Sequence, residues 1–235
     1  MQHKIEAKKV QAMFANIASR YDLTNTVLSM GIHHIWRRKL VKMAPALTNG
    51  LALDVCTGTG DLLPLLKKRF GNAYGLDFAF PMLVEGLSLQ RERAEMGLCP
   101  RMQADALNQP FLDGKFDVIT VSFGVRNFED LTAGIKEMLR VLKPGGSLLV
   151  LEFGQPKNKL FSWLYNFYSK HVMPIIGGLL TGNRQAYEYL PETAAKFPCA
   201  YDFCEILSEL GFCNVNYHQL SLGIAYAYSA VKPVT

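Results

Sequence analysis

The stretch Leu51-Ala-Leu-Asp-Val-Cys-Thr-Gly-Thr-Gly-Asp61 constrains the fold of this chain more than any other. Leu51, Leu53 and Val55 alternate as a short buried strand that runs into a glycine turn, and Asp61-Leu-Leu then opens a helical pattern. Gly58 and Gly60 let the backbone approach a ligand and aim amide N–H groups at it, next to a helix N-terminus that favours electron-rich groups. Many α/β proteins use such glycines only to turn. Two carboxylates make more of this loop: Asp54 lies at the carboxyl end of the strand, and Asp77 ends the next candidate strand, Asn72-Ala-Tyr-Gly-Leu-Asp77. A carboxylate in that second position accepts hydrogen bonds from both hydroxyls of a ribose. The loop is therefore read as a nucleoside site, with Asp54, Gly58, Gly60 and Asp77 as binding candidates.

A dinucleotide fingerprint needs a third glycine where this chain has Leu63. A pyrophosphate requires that close helix approach, whereas S-adenosylmethionine has no phosphate. Asp54 is also better placed for a ligand ammonium than for a pyrophosphate. The loop points to S-adenosylmethionine.

From residue 51 onward strand-like and helix-like runs alternate, as in a parallel sheet covered on both faces. Phe80 to Met96 reads as a helix, and Pro100-Arg-Met-Gln-Ala104 as a third strand ending at Asp105-Ala106, where a carboxylate can meet an adenine amine or simply solvent. Phe116 to Ser122 is a fourth strand, Glu129 to Leu142 an amphipathic helix stopped by Lys143-Pro-Gly-Gly146, and Ser147 to Glu152 a fifth strand. Tyr201 to Leu210 is a helix closed by Gly211. Cys213 to Gln219 and Ile224 to Val231 are strand-like and joined by Leu-Ser-Leu-Gly. That link is too short for a parallel crossover, so the last strand must return antiparallel. The expected fold is α/β: a mostly parallel seven-stranded sheet with helices on both faces and a terminal antiparallel hairpin, the pattern of class I methyltransferases and not of dinucleotide dehydrogenases.

With 235 residues the chain fits one domain, 1–235, carrying two additions. The first, residues 1–45, precedes the sheet and reads as a helical cap. Val10, Met13, Phe14, Ile17 and Tyr21 mark one helix; Gly31 breaks the chain; Ile32, Ile35, Trp36, Leu40 and Met43 mark another. His33 and His34 are adjacent and so should face different ways on a helix; no metal site is expected. The second addition, residues 154–200, interrupts the alternation as an aromatic insert or lid. Phe161, Leu164, Tyr165, Tyr168 and Val172 share a predicted helical face, and an ordinary packed insert is the alternative to a wall for an apolar substrate.

The five cysteines are odd in number and form no C-x-x-C pair, and no apolar run approaches a membrane-spanning length. The start has none of the features of a signal peptide, so the expected location is cytoplasmic. Residues 1–45 hold eight Lys/Arg against two acidic residues, +6 of a total of +5, so the remaining chain sums to −1. That local excess suits either a solvated helix face or peripheral contact with an anionic membrane surface. No basic stripe continues into the body, which argues against nucleic acid. A homo-oligomer is left open.

Tyr21-Asp22, Asn25, Ser29, His33 and Trp36 resemble the N-terminal signature of the UbiE/MenG quinone-biosynthesis methyltransferases. Arg140-Val-Leu-Lys-Pro-Gly-Gly-Ser-Leu-Leu-Val-Leu-Glu152 resembles their second signature, and Phe123-Gly-Val-Arg-Asn127 is also family-like. The chain departs from the family pattern at Thr24, at Cys56-Thr57 and at Gly154. The resemblance implies S-adenosylmethionine contacts at Thr59, Asp77, Asp105-Ala106 and Ser122. It also implies C-methylation of a polyprenylated quinol, demethylmenaquinol or a ubiquinone precursor. A methyltransferase acting on another small molecule or lipid, and a noncatalytic nucleoside-binding module, are the alternatives.

The reaction so implied is an in-line displacement by a weak carbon nucleophile, helped by loss of a proton from the adjacent ring hydroxyl. Arg126 and Asn127 are the expected holders of the ring oxygen or of a water that takes the proton, with Tyr21 closing over them from the cap. A structural salt bridge is the competing role for Arg126. Flavin and nicotinamide fingerprints and paired cysteines are missing from the sequence, so the acceptor is expected to arrive already reduced.

Overall fold

A computed structural model describes residues 7–92 and 99–234. The N-terminal segment forms α1 (Ala7–Ile17), a 3-10 turn (Ala18–Arg20), α2 (Tyr21–Ser29) and α3 (Ile32–Val41). Gly31 separates the last two because the chain reverses there through left-handed backbone, with φ 50° at Met30 and 73° at Gly31. The alternating part follows as β1 (Gly50–Val55), α4 (Leu63–Phe70), β2 (Gly71–Asp77), α5 (Phe80–Glu92), β3 (Arg101–Gln103), β4 (Phe116–Ser122), α6 (Leu131–Val141) and β5 (Leu142–Phe153). The insert is α7 (Lys159–Phe167), a π-helical stretch (Tyr168–Val172), α8 (Met173–Thr181) and α9 (Arg184–Lys196); α10 (Tyr201–Glu209), β6 (Cys213–Leu220) and β7 (Ala225–Val231) complete the chain.

The seven strands form one sheet in the order β3-β2-β1-β4-β5-β7-β6. The pairs from β3 through β5 are parallel, and β7 lies antiparallel to both β5 and β6, as the short final connection requires. Central strands are buried on both faces, which is why β1 and β4 read as near-continuous apolar runs. One face packs Leu53, Val55, Ile119 and Val150 against α6 and α10 through Ile135, Met138, Phe203 and Leu207. The other packs Ala52, Val118 and Leu149 against α3 and α4 through Trp36, Leu40, Leu63 and Leu66. Each such fully buried large side chain contributes about 1.5–3 kcal/mol, so the two layers fix the sheet between them. Strand order reverses between β1 and β4, and the crevice at their carboxyl ends is the usual ligand position in open α/β sheets.

Several boundaries differ from the sequence expectation. α6 begins at Leu131 because the Asp130 side chain accepts from Ala133 N and caps the helix. β5 begins at Leu142, which pairs with Phe116 before a bulge through Pro144-Gly145-Gly146, with Gly145 at φ 75°. Of the helix expected over Phe80 to Met96, the part beyond Glu92 lies outside the described residues. The predicted face of the insert is split: Leu164 is 55% exposed, while Tyr168 packs against the cluster formed by Ile17, Leu28, Met173 and Tyr187. Tyr168 opens the π-helical stretch, so a single 3.6-residue period does not carry through to Val172. His33 is buried and His34 exposed, as adjacent helix positions should be, although their rings lie 3.9 Å apart.

Candidate active site

The glycine turn is held from behind. Asp54, 2% exposed, accepts from Thr57 Oγ1 at 2.7 Å and from Thr120 Oγ1 at 2.6 Å, tying the end of β1 to the turn and to β4. Burial pushes its carboxyl up to about 6 against the opposing effect of the two hydroxyls. Cys56 enters the turn at φ 56°, and Gly58 and Gly60 follow at 57° and 83°. At Gly60 the left-handed backbone disfavours a side chain, and a Cβ, 2.5 Å from Arg101 Nη2, would also have to displace that guanidinium. Asp77 reaches across from β2, accepting from Gly58 N at 2.7 Å and Ala79 N at 2.8 Å. Each carboxylate oxygen retains accepting capacity for a further donor. Burial raises its pKa, and the backbone N–H groups oppose the shift. Thr59 Oγ1 donates to Asp22 Oδ1 at 2.6 Å, fastening the turn to the cap.

In front of the turn lies a cleft. Tyr21, Gly58, Asp77, Asp105, Ala106, Ser122 and Asn127 all line it, brought together from the cap and from the carboxyl ends of β1 to β4. Asp54, Thr59, Gly60 and Arg126 are not among the lining residues. Ser122 Oγ is buried with no protein partner among the described residues, a cost of roughly 1–3 kcal/mol that a polar ligand atom would relieve. That orphaned atom, the remaining acceptor positions of Asp77 and the side-chain-free turn fit a nucleoside cofactor such as S-adenosylmethionine.

Sequence reasoning missed much of the wall. Phe78, Met82, Phe123 and Phe128 line the cleft, as do Val10, Gln11 and Phe14 of α1, and Gln11 Nε2 donates to Phe78 O at 2.7 Å. Phe78 and Phe123 directly follow the strand-end residues Asp77 and Ser122, which was the available signal. Phe123 sits at φ 60°, so two non-glycine residues, Cys56 and Phe123, carry left-handed backbone beside the cleft. Gly86 of α5 gave no signal. A Cβ there would lie 2.1 Å from Thr59 O, so only glycine lets α5 pack against the turn. Gly154, a departure from the family pattern, is explained by Tyr226, whose ring a Cβ would meet at 2.3 Å.

Arg126 lies next to this cleft in a buried network. Its Nη1 donates to Glu152 Oε1 at 2.6 Å and to Phe123 O at 2.6 Å, and its backbone N donates to Glu152 Oε2 at 3.3 Å. The guanidinium also lies 5.2 Å from the centre of the Phe153 ring, which stacks on Phe123 at 4.4 Å. Tyr189 of α9 donates to Asn127 Oδ1 at 3.2 Å. Tyr21 has its pKa raised by burial, with Arg37 and Arg126 opposing, so the phenol keeps its proton at neutral pH. His33, His34 and Asp61 bring three potential donor atoms within 4.8 Å of one another. Arg37 Nη1 donates to Asp61 at 2.9 Å, and burial pushes His33 down to about 4. A guanidinium so placed opposes a second cation.

The profile of the ubiE/COQ5 methyltransferase family matches residues 2–232. A ubiquinone/menaquinone biosynthesis C-methyltransferase UbiE of Bdellovibrio bacteriovorus is 44% identical over 230 residues, covering 96% of this chain and 97% of the relative. A demethylmenaquinone methyltransferase of Thermus thermophilus is 44% identical over 225 residues, covering 94% and 100%. Among solved structures, phosphoethanolamine N-methyltransferase 2 of Haemonchus contortus in complex with S-adenosyl-L-methionine superposes with a TM-score of 0.61 at 16% identity, over 82% of this chain and 50% of that one. At that identity the likeness speaks for the fold alone. The glycine turn, the strand-end carboxylates and a match running almost end to end agree, and the chain belongs to the ubiE/COQ5 methyltransferase family.

Proposed function

We propose that this protein transfers the methyl group of S-adenosylmethionine to a ring carbon of a polyprenylated quinol, such as demethylmenaquinol or a ubiquinone precursor. The observation that carries the reading is the near full-length family match, 2–232, on a chain whose candidate cofactor residues line one cleft. In this reading Gly58, Asp77, Asp105, Ala106 and Ser122 contact the cofactor directly, while Asp54, Thr59 and Gly60 shape the turn from behind. Residues 1–45 act as a cap and 154–200 as a substrate-side lid on a single methyltransferase domain. Among the described residues no helix is long and apolar enough to cross a membrane.

S-adenosylmethionine, when bound, supplies an electrophilic methyl on a sulfonium. The chain has to align the ring carbon, exclude water and manage the hydroxyl proton. Because Tyr189 donates to Asn127 Oδ1, the Asn127 amide N–H groups are left to hold the ring oxygen. Tyr21, kept protonated by burial, donates to that oxygen and does not act as a base. Arg126, with Nη1 committed to Glu152 and Phe123, contributes charge to the developing oxyanion and fixes the turn that carries Asn127.

Oxidation state provides the test. Quinone carbonyls withdraw density from the attacking carbon, whereas quinol hydroxyls donate it. Purified protein with S-adenosylmethionine should methylate a prenylated demethylnaphthoquinol under anaerobic reducing conditions and leave the oxidised quinone almost untouched. Equal rates on both, with reductant rigorously excluded, would overturn this mechanism.

A further inference from the structure

The acceptor just proposed carries a long apolar tail, and the elements beside the cleft leave apolar side chains in solvent. Leu160, Trp163, Leu164 and Phe167 of α7 follow one another by three, one and three residues and are 77%, 67%, 55% and 52% exposed, so they form one stripe along the helix. α7 has no buried residue at all. On α8, Ile175 and Leu179 are exposed four residues apart, and Val27 of α2, which packs against α8, is exposed with Met30 just after that helix. Stripes of this kind normally face a core; here they face outward.

The insert reaches the site through α9, which packs on α8: Tyr189 of α9 donates to Asn127 Oδ1 at 3.2 Å. Tyr168, in the π-helical stretch, donates to Leu28 O of α2 at 2.8 Å. The insert therefore has one side on the catalytic neighbourhood and one in solvent.

Charge narrows the choice of occupant. Residues 153–187 contain Lys157, Lys159, Lys170 and Arg184 and no Asp or Glu. Arg184 is paired with Glu188, and the three lysines are exposed. An apolar stripe accompanied by exposed lysines suits the headgroup zone of an anionic bilayer. A two-fold contact between copies of this chain would instead set lysines against lysines.

We propose that the outward faces of α7 and α8, continued by Val27 of α2 and Met30 at its end, dock this protein on an anionic lipid surface, so that the quinol ring reaches the cleft while its tail stays in the leaflet. This rests on the quinol reading above. The chain has two tryptophans, and their environments differ: Trp36 is 5% exposed and Trp163 67%. Trp163 is thus a built-in reporter.

Vesicles of phosphatidylglycerol and phosphatidylcholine should shift the protein's tryptophan emission to the blue, and bromine-labelled acyl chains should quench it. Vesicles of phosphatidylcholine alone should do much less. Trp163→Phe should abolish the shift. Leu164→Glu combined with Phe167→Glu should weaken co-sedimentation with the anionic vesicles by about tenfold or more. The same double variant should keep its thermal unfolding midpoint and its rate on a short-tailed, water-soluble quinol. No shift and no co-sedimentation of the wild type would overturn the proposal. So would a concentration-dependent emission shift without lipid, accompanied by a dimer in sedimentation velocity, since a second copy would then cover the face. If the soluble quinol is methylated but vesicles are not bound, docking alone fails; if no quinol is methylated, the functional reading fails whatever the vesicles show.

Discussion

Glu152→Gln tests the network on which the site is built. Glu152 is 0% exposed and accepts from Arg126 Nη1 at 2.6 Å, Phe153 N at 2.8 Å and Arg126 N at 3.3 Å. The two side chains are 4% and 0% exposed, so solvent screening does not dilute the pair. Glutamine keeps the shape but removes the charge and turns an NH2 toward donors, leaving a buried guanidinium uncompensated. Breaking a buried pair from one side costs about 3–5 kcal/mol. For a chain of this length each kcal/mol lowers Tm by about 2–4 °C, so the variant should melt roughly 6–20 °C below wild type. Calorimetry or a circular-dichroism melt reads this directly. Removing the orphaned charge as well, in Glu152→Gln with Arg126→Met, should recover about 1–3 kcal/mol of the loss. A single variant within about 1 kcal/mol of wild type, or a double variant no better than the single, would refute the assignment of a strongly coupled buried pair.

Three further outcomes follow from the turn. Asp77→Ala should weaken S-adenosylmethionine binding by about 1.5–3 kcal/mol in calorimetric titration, the range for hydrogen bonds to a charged group; unchanged affinity would remove Asp77 from the site. Gly86→Ala puts a methyl 2.1 Å from Thr59 O, so α5 or the turn must move. The expected cost is about 1–3 kcal/mol of stability, with a loss of cofactor affinity, and a variant normal in both would show that the contact is slack. Asp54 has a folded-state pKa of about 6, raised above its ordinary value of 3.8 by burial. Its contribution to stability is thus fully present below about pH 4 and is lost as pH rises through about 6, by on the order of 1–3 kcal/mol. Urea unfolding of wild type against Asp54→Asn should show this component disappear from the variant, and parallel pH profiles for the two proteins would contradict it.

Local pattern determined a good deal of this protein. Alternating apolar residues in Leu51–Val55 and the run Phe116–Ser122 specify doubly covered strands, and the four-residue link before Ile224 leaves only an antiparallel return. Once the strands are parallel, their carboxyl ends lie on one edge, so Gly58, Asp77, Asp105 and Ser122 were bound to meet there although they are far apart in sequence. The period of a strand and the geometry of a glycine turn are short-range properties, and sequence carries them. Which group each side chain finally meets is decided by packing between elements. Glu152 finds Arg126 only because β5 lies beside β4; Gly86 matters only because α5 presses on Thr59; Leu164 faces solvent while the insert packs through Tyr168, Met173 and Tyr187. Asp54 and Thr59 end up holding the turn from behind because Thr57, Thr120 and Asp22 converge on them, three donors and acceptors brought in from the turn, β4 and the cap. No local period encodes such convergence, since it depends on the free energy of the whole packed arrangement.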